Sequence, residues 1–248
     1  MVYDIRPLSF TEILDRAFVV VRDQFWLLVG ISAVQWIPYG VLIALAPKSL
    51  AVQGLALLLL LVVAPVTHTA LAVAVVGVYL GLPASVSEAY RATRPILAAI
   101  IGTYLLMYLL SIPLALLLVL PAVYFMTCWV LVSPVMIVEE SFGMAALRRS
   151  RTLVRGSWWR TFGLMLVVGL IVAVPGAALE IFCSFIPFVG PILNAATEAV
   201  TQSYGLVAVV IYYFDRRCRT EDFDLRLLAL QIRSESKSTA AVPGTSLA

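Results

Sequence analysis

The chain has 248 residues, 62% of them hydrophobic and 12% charged, with a mean hydropathy of +1.02. Soluble domains carry about 45–50% apolar and about 25% charged residues, so a single water-soluble globule is excluded. The net charge of +3 is small and its basic residues are gathered on one side, which suits anionic headgroups rather than nucleic acid;.

In chain order, residues 9–24 place Phe10, Ile13, Leu14, Ala17, Phe18 and Val21 on one helical stripe, with Thr11, Glu12, Asp15 and Arg16 between them;. Ser9 and Glu12 have capping-box spacing. A surface helix is predicted, followed by a first membrane span over about 25–46 that opens on Phe25 and Trp26. This span is too long for the hydrophobic part of a cleaved leader, so it is expected to remain as an anchor. A second span covers about 50–80, with Pro65 and the triplet Thr67, His68, Thr69 marking a kink. Ser85 and Glu88 repeat the capping spacing ahead of residues 95–138, a run of 44 without a charge. As one helix the run would reach about 66 Å at 1.5 Å per residue, twice a bilayer, so it must turn back near 116–121. That gives the third and fourth spans. Residues 141–160 form another surface helix, with Ala146, Leu147, Ser150, Leu153, Val154 and Trp158 on its less polar face. The fifth span covers about 161–182 and the sixth about 192–214, joined by a Pro/Gly-rich connector over 184–191. A short amphipathic helix over about 222–232 and a disordered tail from 234 to 248 complete the chain.

Of the seventeen Lys and Arg residues, all but Lys48 lie at the termini or on alternate connections. Basic residues in short loops resist translocation, so both termini and the connections holding the arginines are expected in the cytoplasm. The fold expected is all-α and integral to the membrane. Six transmembrane helices form three hairpins, each preceded by a cytoplasmic-side amphipathic helix. Residues 1–233 form one polytopic domain with repeat-like modules near 9–81, 84–138 and 141–214. Cys128, Cys183 and Cys218 have no disulfide or metal spacing.

Three stretches resemble a known family. They are Ser9-Phe-Thr-Glu12-Ile-Leu-Asp15-Arg16-Ala-Phe, Ala145-Ala-Leu-Arg-Arg149-Ser-Arg-Thr-Leu-Val-Arg155-Gly-Ser-Trp-Trp159-Arg, and the closing Tyr212-Tyr-Phe-Asp215-Arg with Asp224 and Leu225. Together they resemble the prokaryotic proteins named for the membrane domain of glycerophosphoryl diester phosphodiesterase. The resemblance spans nearly the whole chain and implies a multi-helix membrane domain. It does not carry over the hydrolysis, which belongs to a separate soluble barrel requiring His and Glu residues around a metal. The family pattern leads one to expect Gly where this chain has Asp222, and so a different local turn.

Two groups of residues are candidate sites. Asn194, Glu198 and Gln202 stand at i, i+4 and i+8, giving the sixth span a polar stripe. A carboxylate at the bilayer centre costs about 2.5–3.5 kcal/mol, so Glu198 must face other helices, be protonated or line a wet cavity. It is a proton or substrate site, or a hydrogen-bonded helix contact near the outer surface. His68 is a relay or ligand candidate, against which stands the absence of any partner at metal-ligand spacing. The second group is Arg148, Arg149, Arg151, Arg155 and Arg160 with Trp158 and Trp159. These either hold topology and anchor at the interface, or bind anionic headgroups or a partner protein. No catalytic triad, phosphate loop or metal motif is present, so no enzyme activity and no cofactor are expected. The reading is a non-catalytic scaffold or accessory subunit of a prokaryotic cytoplasmic membrane, with a small transporter or channel as the alternative.

Overall fold

The computed structural model describes residues 6–45, 49–117, 119–184 and 189–223, and every regular element among them is helical. Lys48, residues 185–188 of the 184–191 connector and the chain beyond Phe223, including most of the expected last helix and the tail, lie outside the described residues.

Helix α1 (Phe10–Asp23) starts at a reciprocal cap. The Glu12 N–H donates to Ser9 Oγ at 3.3 Å and the Ser9 N–H donates to Glu12 Oε2 at 2.7 Å. These bonds satisfy donors that a helix start otherwise leaves free. The Ser9 N–H, and then Arg6, hold the Glu12 carboxyl down at about 2. Ile13, Ala17, Val20 and Val21 are buried, whereas Phe18 is 62% exposed. Phe18 follows Ala17 by one residue and is rotated about 100° from it, which takes it off the expected stripe.

Helices α2 (Phe25–Leu45) and α3 (Leu50–Tyr79) pack against each other. Next come α4 (Val86–Thr93), a 3-10 turn (Arg94–Ile96) and α5 (Leu97–Leu117). Ser85 caps α4, but here Glu88 accepts from the Ser85 hydroxyl at 2.8 Å. Helix α5 packs against α6 (Val119–Trp129).

Within the fourth expected span, α7 (Val132–Val138) follows α6 after a short interruption. Pro134 is the cause: its ring conflicts with the carbonyl of Val130 and it supplies no N–H;. Ser150, on α8 (Gly143–Val154), repairs the gap. Its hydroxyl donates to the Cys128 carbonyl at 2.7 Å and accepts from the Leu131 N–H at 3.2 Å. By contrast Pro38, Pro65, Pro113 and Pro175 all sit inside unbroken helices.

Helices α9 (Trp158–Ser184) and α10 (Gly190–Glu221) close the fold. Helix α10 is its axis, touching α1, α2, α3, α7, α8 and α9, and every side chain from 207 to 216 is buried. It meets α2 through paired polar groups: Ser32 and Ser203 lie 3.0 Å apart, and Gln202 accepts from the Trp36 indole and donates to Gln35 at 3.4 Å. At Gly40 the two helices nearly touch, since an added Cβ would lie 2.7 Å from the Ala195 Cβ. Small residues allow such close approach in membranes.

Five helical stretches are long and apolar enough to cross a bilayer: Phe25–Leu45, Leu50–Tyr79, Val86–Pro113, Val119–Val138 and Trp158–Leu179. The expected sixth, within α10, is not among them. Asn194, Glu198, Gln202 and Ser203 dilute its first half, and Asp215, Arg216 and Arg217 charge its second. Its second half, buried from 207 to 216, is enclosed by protein and there has no need of a wholly apolar surface, whereas Glu198 in its first half is exposed;. Large apolar side chains such as Leu57, Leu105, Leu109, Leu170 and Val174 are more than half exposed on the crossing helices, apart from the sheltered turns. So much apolar surface requires lipid as its solvent.

The anticipated Gly position resolves simply. Asp222 ends α10 in the left-handed region, with φ 51° and ψ 42°, the conformation glycine would take. Replacing Asp222→Gly should therefore stabilise the protein by up to about 1 kcal/mol, read as a raised thermal midpoint in detergent.

Candidate functional site

The arginines after α7 divide into two kinds, and helix geometry does the dividing. Arg148, Arg151 and Arg155 follow at i, i+3 and i+7 and share one side of α8 and its exit, whereas Arg149 is turned about 100° away;.

Arg149 is committed internally. It forms a two-pronged pair with Glu139, at 2.5 Å and 3.0 Å, and also bonds Glu221. Tyr213 donates to Glu139 at 2.8 Å, and Arg217 reaches Glu221 at 3.1 Å while lying 4.1 Å over the Phe223 ring. The hydrogen bonds to Glu139 raise the Arg149 guanidinium above its ordinary value. Burial alone would raise the Glu221 carboxyl, but the bonds from Arg149 and Arg217 outweigh it and hold it below the ordinary value.

Arg160 is committed as well. Asp215 is completely buried, accepting from the Leu8 N–H at 2.8 Å and from Arg219 Nε at 2.9 Å, with Arg160 Nη2 at 3.3 Å from its other oxygen. Arg160 and Arg219 also both donate to the Leu8 carbonyl at 2.7 Å. Arg216, whose charged form burial disfavours, donates to the Leu153 carbonyl at 2.9 Å. This knot ties the start of the chain to α9 and α10. Arg149 and Arg160 thus act as internal cross-links, because carboxylates from other elements meet them on folding.

Arg148, Arg151 and Arg155 are exposed, and among the described residues none pairs with a carboxylate. All three line one groove of about 660 Å³ with Tyr124, Thr152 and Trp158, and no acidic side chain lines it. Trp158 stacks on Phe162 and on Tyr124, with ring centroids 5.2 Å and 5.7 Å away, and Trp159 beside it is 78% exposed. The groove therefore offers three guanidinium groups without a carboxylate partner among the described residues, Arg151 lying 5.7 Å from the Phe125 ring centroid, beside an aromatic wall. Guanidinium donors match the oxygens of phosphate in pairs, which suits an anion.

The polar stripe of α10 is split too. Gln202 is consumed by Trp36 and Gln35, while Asn194 and Glu198 line a cavity at the opposite end of the helices from the arginine groove. His68 lies elsewhere, on α3 beside the Tyr104 ring at 6.2 Å. The structure brings no His, Cys or carboxylate cluster of metal-binding size together among the described residues. Sequence reasoning missed Glu139, Asp215, Glu221 and Ser150 as structural partners. The signal available was that Glu139 and Asp215 each end a long apolar run next to the basic segments.

The fold and these sites define an all-helical, membrane-embedded protein whose exposed polar chemistry sits at the helix ends. The chain belongs to the family described as Domain of unknown function (DUF8558), whose model matches residues 60–229. No curated protein and no solved structure matches it.

Proposed function

We propose that the protein is a non-catalytic, multi-pass scaffold or accessory subunit of a prokaryotic cytoplasmic membrane, and that its arginine groove holds the phosphate of anionic lipid headgroups. In this reading α10 is the sixth crossing, α2–α3, α5–α7 and α9–α10 form three hairpins, and both termini are cytoplasmic. The short helices α1, α4 and α8 lie along that face with their apolar sides inward, and the exposed Phe18 and Trp159 enter the headgroup layer. The chain is related, in this reading, to the glycerophosphoryl diester phosphodiesterase membrane domain that its motifs resemble.

The observation that carries the proposal is the sorting of the arginines. Internal carboxylates neutralise Arg149 and Arg160, while Arg148, Arg151 and Arg155 converge unpaired on one groove. Transport along α10 has weaker support, because the groups at the α2–α10 contact bond one another, as helix-joining polar residues do;.

Each basic residue near an anionic surface adds about 1 kcal/mol, so three together are worth roughly a hundredfold in affinity. Replacing Arg148, Arg151 and Arg155 together by Gln should reduce phosphatidylglycerol adducts of the purified chain in native mass spectrometry by about that factor. Phosphatidylcholine adducts, which report on the apolar flanks, should not change. Equal phosphatidylglycerol retention by parent and variant would refute the assignment. Gln leaves Arg149, Arg160 and the terminal charges in place, so topology is preserved; accessibility labelling of the termini checks this.

A further inference from the structure

We propose that the cavity at the other end of α10 binds a primary ammonium group, on a free small amine or on a lipid headgroup. This inference is independent of the arginine groove. The cavity measures about 390 Å³ and is lined by Trp36 and Tyr39 of α2, Gly176 of α9, and Asn194, Thr197 and Glu198 of α10.

Three features of this lining agree on the sign and shape of the ligand. Glu198 is exposed, and among the described residues no Lys, Arg or His pairs with it; its bond is from the Thr201 hydroxyl at 3.3 Å. A carboxylate held by one neutral donor keeps acceptor capacity for a cation. The Asn194 amide oxygen is buried without any hydrogen-bond donor, and unpaired buried acceptors are uncommon in native folds;. A ligand N–H entering beside it would supply the missing bond. Trp36 and Tyr39 meet edge to face at 5.6 Å, and the only indole N–H there is turned away to Gln202. The two rings add π surface to the lining, and π faces attract cations;.

An anion would meet like charge, and a neutral apolar ligand would strand both acceptors. A quaternary ammonium would satisfy the rings but donate nothing to Asn194. A primary ammonium satisfies all of them, with three N–H donors for two acceptors and a charge for the rings. The site is shaped by the tight α2–α10 contact at Gly40, which fixes Tyr39 against the first turns of α10.

The test uses the full-length chain, with two arms that separate the sources of the amine. In detergent, ethanolamine is titrated by calorimetry against ethylene glycol, its uncharged counterpart. In nanodiscs, the fraction of phosphatidylethanolamine carried by the protein is measured from equal mixtures with phosphatidylglycerol. Saturable ethanolamine binding identifies a free amine, and phosphatidylethanolamine enrichment identifies a headgroup; either supports the site. Glu198→Gln should then reduce the positive signal at least tenfold, and Tyr39→Leu, which keeps the carboxylate, should reduce it severalfold. If Glu198→Gln does not fold, the Tyr39→Leu result decides. Binding of ethylene glycol equal to ethanolamine, no signal in either arm, or full binding by the variants would overturn the proposal.

Discussion

Replacing Asp215→Ala should destabilise the protein by about 3–5 kcal/mol, a large part of what typically holds a domain folded. The reason is where the carboxylate sits. It has no solvent exposure, and it faces Arg160 and Arg219 while binding the Leu8 N–H. Without it, two guanidinium groups are left facing each other in a partly buried site, and a backbone donor loses its partner. The two arginines would still hold the Leu8 carbonyl, but with uncompensated charge. Asp215→Asn should cost less, because an amide oxygen still accepts from Leu8. Thermal unfolding in detergent, followed by tryptophan fluorescence, should rank parent above Asn above Ala. Proteolysis should show residues 6–9 cut first in the Ala variant, since that segment is what the knot fastens. An unchanged midpoint for Asp215→Ala would mean that the site is wet and the pairs are worth little.

The second large effect is expected at Ser150→Ala. One hydroxyl serves both ends of the break between α6 and α7, and the residue is completely buried. Alanine fits the space but leaves the Cys128 carbonyl and the Leu131 N–H unpaired, at about 1–3 kcal/mol for each group. Ser150→Thr restores a hydroxyl and should recover much of the loss if its methyl group fits. Hydrogen exchange should show faster opening at 129–132 in the alanine variant than at the centre of α10. The paired variant Ser150→Ala with Pro134→Ala makes a sharper test. Removing the proline lets the helix close its own bonds, so the second change should offset part of the first.

Legibility in the sequence varied with the range of the interaction. Local devices were readable: the Ser9–Glu12 cap, the all-helical character, and the presence of several long apolar helices. Each depends on residues within a few positions or on length alone. The break at Pro134 was not read, although prolines elsewhere were, because a proline's effect in a membrane depends on what repairs the freed groups. That repair comes from Ser150, on another helix. The arginine run shows the same limit. Its charges were visible, but which of them were spent depended on Glu139, Asp215 and Glu221, separated from them by up to 72 positions. The polar stripe on α10 was visible as a pattern, yet Gln202 turned inward to α2 while Glu198 faced a cavity. Periodicity marks a face, and it does not say what that face meets.

The mixed composition of α10 bears on how the molecule is made. It is the least apolar of the long helices and the last of them to leave the ribosome. By then the surfaces of α1, α2, α3, α7, α8 and α9 that enclose it already exist. The charged groups buried in its second half, Asp215 and Arg216, can enter a slot already walled by protein. Among the described helices α10 is therefore the keystone, and a nascent chain halted before Gly190 would hold an open seam where its centre should be.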